Sequence, residues 1–310
     1  MNQSDALLRY RGWKGTPRGP LYAEVEMARA SLKLLARKWL VWGLAALGLL
    51  VFFTFFYAQY LAVYVTTMLE TDTVRFAGVP VSARNLTRVL DRLALNGTAH
   101  TLGNFVWWQG YVLVIVLALA GSLLVGNDFA HGSLPFYLSK HIGRKHYVLG
   151  KCLAVGALVN LFTTLPAVAL WLEAGMLYDW QTFYVDNWRL LVGILGYGAV
   201  LTVALSLLLV ATAVWVRRTV PLAMLWMGLF ALLPMLSGWL VDATQDEHWR
   251  LIDIWNNLYL CGLHCLGADP ESIRPQPQPA YGWAWLACAT VTALSALYLR
   301  RRVQAVEIVT

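Results

Sequence analysis

Apolar residues along this chain come in long blocks. Six segments contain no Asp, Glu, Lys or Arg: Trp39–Tyr64, Phe105–Gly126, Cys152–Leu172, Leu190–Val216, Val220–Val241 and Tyr281–Leu299. Each is long enough to cross ~30 Å of hydrocarbon at ~1.5 Å per residue. Lipid offers no partner to a free backbone amide or carbonyl, so each block must be helical. The pattern predicts an all-α integral membrane protein of six transmembrane helices. The first block reads as a retained span. It lies behind a 38-residue polar leader, exceeds the length of an h-region, and has no small-residue cleavage site after it.

The stretches between the blocks carry patterns of their own. Residues 1–20 set Arg9, Arg11, Lys14 and Arg18 among glycines and prolines, an irregular basic lead-in. From Leu21 to Lys38 the spacing becomes helical, with Val25, Ala28, Leu32, Leu35 and Ala36 on one side and Glu24, Arg29, Lys33, Arg37 and Lys38 on the rest. Such a basic amphipathic helix lies along a membrane surface. Residues 1–38 thus form a leader and interface helix, and 39–310 the membrane domain. The loops 65–104, 173–189 and 242–280 lie on one side, and the connector 127–151 on the other. In the first loop, Ser82 is placed to cap a helix carrying Leu86, Val89, Leu90 and Leu93. In the third, Trp249, Leu251, Ile252, Trp255, Leu258 and Tyr259 recur at helical spacing, which fits a helix lying at the interface or one dipping into it. Pro270, Pro275, Pro277 and Pro279 then make a stiff extended lead into the last span. Pro166 and Pro234 are expected to kink their helices.

Charge decides orientation. With the N-terminus inside, 17 of the 24 Lys and Arg fall on the cytoplasmic side: eight in residues 1–38, four in the 127–151 connector, Arg217 and Arg218, and three from Arg300 onward. The opposite side holds seven, with 12 of the 17 acids. That partition predicts N-in, C-in topology, and it accounts for the net charge of +7 without any nucleic-acid partner. A composition of 59% hydrophobic and 13% charged residues, with mean hydropathy +0.56, sets aside a soluble domain.

Chemistry is thinly represented. No Gly-rich phosphate loop is present: Gly150-Lys151-Cys152 lacks both the upstream glycine and the hydroxyl that magnesium needs, so the chain is not expected to hydrolyse ATP. The six histidines fall outside the six blocks, which argues against intramembrane haem. The blocks also lack charge, which argues against ion-coupled transport. No catalytic, metal or cofactor-binding residue is assigned. Cys261 and Cys265, with His264 between them, share one helix face and leave open a disulfide, a metal pair or two free thiols. Cys152 and Cys288 read as small hydrophobes within spans. Thr54, Gln59, Asn160, Thr163, Thr164, Thr202, Ser206 and Thr212 either line a pathway or bridge helices.

The connector between the second and third spans carries the most specific signal. It holds Asp128, a turn at Gly132-Ser133-Leu134, an apolar run including Phe136 and Tyr137, and then Lys140, His141-Ile142-Gly143-Arg144, Lys145 and Leu149-Gly150-Lys151. This order resembles the first cytoplasmic connector of type-2 ABC transporter permeases. There an acidic residue precedes a Gly-Thr-Leu turn, a short helix, a Pro-Ile-Ser-Arg-like element and a Leu-Gly-Lys that opens the next span. Here Ser133 stands for the Thr, and no Pro precedes Ile142. The resemblance implies an interface helix, a short cytoplasmic coupling helix in the connector and a multi-pass subunit of the bacterial inner membrane. It implies a dimer with itself or a second permease, docked to a separate cytoplasmic ATP-binding subunit through Asp128, Gly132, Ser133, Leu134, Phe136, Tyr137, Lys140, Arg144 and Lys145. The uncharged spans favour an apolar or amphipathic cargo, or no cargo at all, and with the resemblance the expected activity is export of such a cargo. Two other readings fit the same chain: a mechanical transmitter acting on a periplasmic partner, and a structural subunit of a larger membrane assembly.

Overall fold

The computed structural model describes residues 20–68, 74–76, 79–81, 97–130, 143–178, 180–269 and 277–303. Six helical stretches in it are long and apolar enough to cross a membrane: Trp39–Tyr64, Ala99–Gly126, Arg144–Leu177, Trp188–Val216, Thr219–Thr244 and Tyr281–Arg302. All six coincide with the charge-free blocks, but several helices run past the block ends. The second begins at Ala99, within the predicted 65–104 loop. The third takes in Arg144, Lys145 and Lys151 at one end and Glu173 at the other. A helix does not stop where charge appears, because its backbone hydrogen bonds do not depend on the polarity of the side chains. The charge-free blocks are thus the central lengths of these helices, and Arg144, Lys145, Lys151 and Glu173 lie beyond them in the same helical stretch.

In chain order, α1 is Pro20–Ala36 and α2 is Trp39–Met68. A hairpin of β1 (Val74–Phe76) and β2 (Val79–Val81) follows, pairing antiparallel with Val74 opposite Val81. Next come α3 (Ala99–Gly121), a π turn over Ser122–Gly126, and α4 (Asn127–Ala130). The third span is α5 (Arg144–Phe162) and α6 (Thr164–Leu177), separated at Thr163. The short α7 (Trp180–Asp186) leads to α8 (Trp188–Val216). The fifth span is α9 (Thr219–Met227), a π turn over Gly228–Leu232 and α10 (Leu233–Thr244). A 3₁₀ turn (Glu247–Ile252), α11 (Ile254–Leu266) and α12 (Tyr281–Arg302) complete the described chain. The expected Ser82-capped helix lies outside the described residues.

Both internal prolines mark breaks in their helices. Pro166 has no N–H to give the carbonyl of Phe162, and its ring crowds that turn. The helix is interrupted just there, with Thr163 at φ −118° and its hydroxyl donating to Val159 O at 2.7 Å. Ahead of Pro234, the helix widens into the π turn, a common accommodation for an extra or missing backbone bond. The tight α8–α9 connection uses Arg217 in the left-handed conformation, φ 57°.

The centre of the bundle is α8, which packs on α5, α11 and α12. Polar residues of the spans serve mostly as local or interhelical bonds. Asn160 Nδ2 donates to Thr202 Oγ1 at 2.8 Å, joining α5 to α8, and Trp226 Nε1 donates to Thr212 Oγ1 at 3.1 Å, joining α9 to α8. Thr54 and Ser206 donate back to carbonyls of their own helices. Such bonds contribute ~0.6–2 kcal/mol each in a bilayer.

The α11 helix answers the question that periodicity left open. Its N-cap is Asp253, whose carboxylate accepts from Asn256 N at 3.0 Å, and it ends at Gly267 with φ 69°. Nearly all of its side chains are buried, Asn256 and Asn257 included. Trp255 packs on Gly110, in the middle of α3, where an added Cβ would lie 1.7 Å from the indole. Leu263 meets Gly103 near the start of α3, and the backbone of Cys265 and Leu266 meets Gly193 near the start of α8. Thus α11 begins at mid-bundle and ends level with the helix starts. At 13 residues it spans ~20 Å, short of a full crossing. It is a helix inserted into the bundle, not one lying on its rim.

Candidate functional site

The connector identified from sequence begins and ends in a cluster of buried charges. Asp128 sits on α4, just past the close approach between Gly126 and the Arg217 carbonyl, where an added Cβ would lie 2.7 Å from that oxygen. Its carboxylate pairs with Lys151 Nζ at 2.8 Å and accepts from Tyr147 Oη at 2.9 Å. Lys151 is 4% exposed. It also donates to Ser31 Oγ of α1 at 3.3 Å and lies over the Tyr147 ring, 5.6 Å from its centroid. Nearby, Glu24 of α1, 5% exposed, places Oε1 2.6 Å from His146 Nδ1. At Gly150 an added Cβ would meet the Met27 sulfur at 3.0 Å and the Glu24 carbonyl at 3.2 Å. A glycine there lets the two backbones close up.

Three elements are thereby joined: α1, the N-terminal turns of α5, and α4. A lysine taken out of water needs a paired anion and partners for its hydrogens, and Asp128, Ser31 and the Tyr147 ring supply both. The face that α1 turns inward differs from the expected one. Glu24, Met27, Ala28, Ser31 and Leu35 are buried against the bundle, while Val25 is 56% exposed. Leu21, Tyr22, Val25 and Leu34 are exposed and interleave on the outer side with the cations Arg29, Lys33, Arg37 and Lys38.

Of the residues named by resemblance, Asp128, Arg144 and Lys145 are described; Gly132, Ser133, Leu134, Phe136, Tyr137 and Lys140 lie outside the described residues. Asp128 is engaged within the chain by Lys151 and Tyr147. Arg144 and Lys145 are exposed on the first turn of α5, whose N-cap, Gly143, offers no side-chain bond. Cations in a first turn oppose the helix macrodipole, so helix stability does not explain them. At the same end of the bundle, reached by the alternation of the helices, stand exposed Arg217, Arg218, Arg300, Arg301 and Arg302.

The opposite end is acidic and locally bonded. Asp246 accepts from the His248 amide at 3.0 Å, and its carboxyl is held below its usual range chiefly by that bond and then by the His248 ring. Arg250 donates from Nε to Pro277 O at 2.7 Å, which ties the 3₁₀ turn to the lead into α12. Glu173 is buried within α6, and neither of its carboxylate oxygens has a hydrogen-bond partner. The sequence places it in a loop because the charge-free criterion ends the span at Leu172.

Of the readings left open for Cys261 and Cys265, the structure has the free thiols. All four cysteines are free. Cys261 lies 3.8 Å from Cys288 of α12, while His264 Nδ1 accepts from Trp285 Nε1 at 3.1 Å. Neither contact follows the i, i+4 logic, because the partners come from a separate helix more than 20 residues further on. No group of three or more His, Cys, Asp or Glu able to hold a metal ion occurs among the described residues.

No protein-family model matches the chain, and a comparison with the curated proteins finds no match.

Proposed function

We propose that this chain is the membrane-spanning subunit of an ATP-driven ABC complex of the bacterial inner membrane. In this reading both termini are cytoplasmic, the basic end of the bundle faces a separate ATP-binding subunit, and the chain pairs with itself or a second permease. The connector 127–151 docks the ATPase. Leu134, Phe136 and Tyr137 act as apolar anchors, and Lys140, Arg144 and Lys145 as cationic contacts, after a turn at Gly132 and Ser133. Asp128 takes the narrower task of holding the connector's origin in place through Lys151.

The observation that carries the proposal is the clamp between α1 and the start of α5. A connector that must pass force to the spans needs a stiff base, and a largely buried, hydrogen-bonded ion pair at its two ends provides one. The surface position of α1 is supported by its two-sided character: a bonded inner face and an exposed outer side where apolar residues and cations interleave, suited to lipid headgroups. Export of an apolar or amphipathic cargo is the part of this reading that rests on the resemblance and on the charge-free central lengths of the spans, which offer a charged solute few partners.

The test is co-purification in mild detergent, followed by reconstitution. An ATP-binding protein recovered in stoichiometric amount, whose hydrolysis rises in proteoliposomes containing this chain, meets the proposal. Recovery of neighbours with no ATPase among them overturns it in favour of a structural subunit. A stimulated ATPase without measurable flux of any amphipathic cargo removes the export assignment and leaves mechanical transmission.

A further inference from the structure

The outer side of α1 is not uniform around the helix. The row that faces the bundle holds Glu24, Met27, Ala28, Ser31 and Leu35. Opposite it stand Tyr22, Glu26, Arg29 and Lys33, and Arg37 continues the line just past the helix end. Between those two rows, on one flank, lie Leu21, Val25, Leu32 and Ala36 at helical spacing. Ala30 and Leu34 occupy the other flank. Leu21 is 74% exposed and Leu32 half-buried. The bundle therefore leaves an apolar row bare beside a cationic one.

Charge is unbalanced on that side. Arg29, Lys33, Arg37 and Lys38 are exposed, while Glu24 is buried and Glu26 is the other acid of α1. Glu26 pairs with Arg29 at 3.7 Å, an exposed contact that contributes little. The helix macrodipole favours cations at a C-terminal end, which accounts for Arg37 and Lys38 but not for Arg29 in mid-helix. A second observation sets the depth. Just beyond α1, Trp39 is 82% exposed and Trp42 64%, and Trp42 Nε1 donates to Ala36 O at 2.8 Å. Exposed tryptophans at the start of a span favour the headgroup level, so this bond ties the end of α1 to that level. There a cationic row meets phosphates, and the apolar row beside it meets the first carbons of the acyl chains.

We propose that α1 docks on anionic phospholipids in preference to zwitterionic ones, with Arg29, Lys33 and Arg37 on the headgroups and Leu21, Val25 and Leu32 in the upper acyl region. The consequence reaches the clamp. The same helix carries Glu24 and Ser31, the partners of His146 and Lys151, on its opposite row. Lipid held on the outer row keeps α1 seated on α5, so an anionic leaflet stabilises the base of the connector. This inference rests on the surface position given to α1 above, and it needs no ATPase.

The test uses the full chain alone, with no ATP-binding protein, in vesicles of equal parts phosphatidylcholine and phosphatidylglycerol. Two photoreactive lipids are added in turn, a phosphatidylglycerol and a phosphatidylcholine, each with a diazirine at the start of one acyl chain. The anionic probe is expected to label residues 20–38 about fivefold more than the zwitterionic one, the preference that a single cation at an anionic surface supplies. No excess is expected at the exposed Val203 of α8. Arg29→Gln, Lys33→Gln and Arg37→Gln together should remove the excess, whereas Arg300→Gln, Arg301→Gln and Arg302→Gln together should leave it. High salt should shrink it in the wild-type chain, which tests the charge without any variant. The thermal midpoint should rise from phosphatidylcholine to mixed vesicles, and by less in the α1 variant than in the α12 variant. Equal labelling of residues 20–38 by the two probes, or an excess that survives either salt or neutralisation of α1, would overturn the docking and leave this side to water or a soluble protein. Such a failure does not touch the recovery of an ATPase, and a failed recovery does not touch this measurement.

Discussion

At the residue scale, the lysine at 151 is the position with most at stake. Removing one partner of a buried ion pair strands the other, which costs about 3 kcal/mol or more, whereas removing both together costs far less. Lys151→Met should therefore lower the thermal unfolding midpoint in detergent sharply. The double variant Asp128→Asn, Lys151→Met should recover most of the loss, because Tyr147 can still donate to the amide oxygen that replaces the carboxylate. Simple additivity of the two single effects would show that the pair does not act as a unit. Gly110 makes a second, purely steric case. An added methyl would sit 1.7 Å from the Trp255 ring, so Gly110→Ala must push α11 off α3. The expected cost is ~1–3 kcal/mol, and the same change at Gly43, which has open space around it, should be close to neutral. Equal midpoints for the two variants would contradict the inserted position of α11.

At the element scale, the helices are legible in the sequence where lipid dictates them and obscure where neighbours do. Charge-free runs mark the central lengths of the six spans, since a membrane demands the same composition whatever the tertiary contacts. The helix ends run past the blocks, by as much as from Cys152 back to Arg144. Lys151 escapes because a charge inside a helix is tolerated once an ion pair and hydrogen bonds replace water, and a bond across 120 residues leaves no local pattern. Glu173 escapes because the charge-free criterion stops at Leu172 while the helix continues. The inner face of α1 departs from expectation for a related reason. Glu24 and Ser31 have the polarity of solvent positions, yet they share the i, i+3, i+4, i+7 row with Met27, Ala28 and Leu35, and that row is the available signal. For α11, Asn256, Asn257 and Asp253 mask a buried helix as an interfacial one. The connector is the element on which the functional proposal is exposed to test. Phe136→Ala with Tyr137→Ala should weaken ATPase association by ~1–3 kcal/mol per anchor, leaving insertion intact. Arg144→Glu should uncouple or release the ATPase more than Arg9→Glu, since a guanidinium on the first turn of α5 can grip a carboxylate with two bonds. Wild-type affinity and stimulation in the double Ala variant would end the docking role of this loop.

At the scale of the whole molecule, the deciding property is the separation of charge between the two ends of the bundle. The clamp, the α8–α9 turn and the end of α12 gather cations at one end, while Asp242, Asp246, Glu247, Asp253 and Asp269 lie toward the other. Positive residues resist transfer across the membrane during insertion, whereas acidic ones contribute little to orientation. An inverted chain would have to carry the α1 cations and three consecutive arginines of α12 outward, and would set the Lys151–Asp128 clamp at the wrong surface. The proposal that both termini are cytoplasmic therefore makes a definite labelling prediction. An impermeant maleimide applied to intact cells should label Thr98→Cys and Asp246→Cys, both exposed positions at the acidic end, within minutes. The same reagent should reach Ala30→Cys and Arg218→Cys, equally exposed at the basic end, after the membrane is permeabilised and not before. The four native thiols are buried or half-buried, so the unsubstituted chain supplies the background. Labelling of Ala30→Cys and Arg218→Cys in intact cells, with Thr98→Cys and Asp246→Cys protected, would invert the topology and remove the ATPase-facing surface along with it.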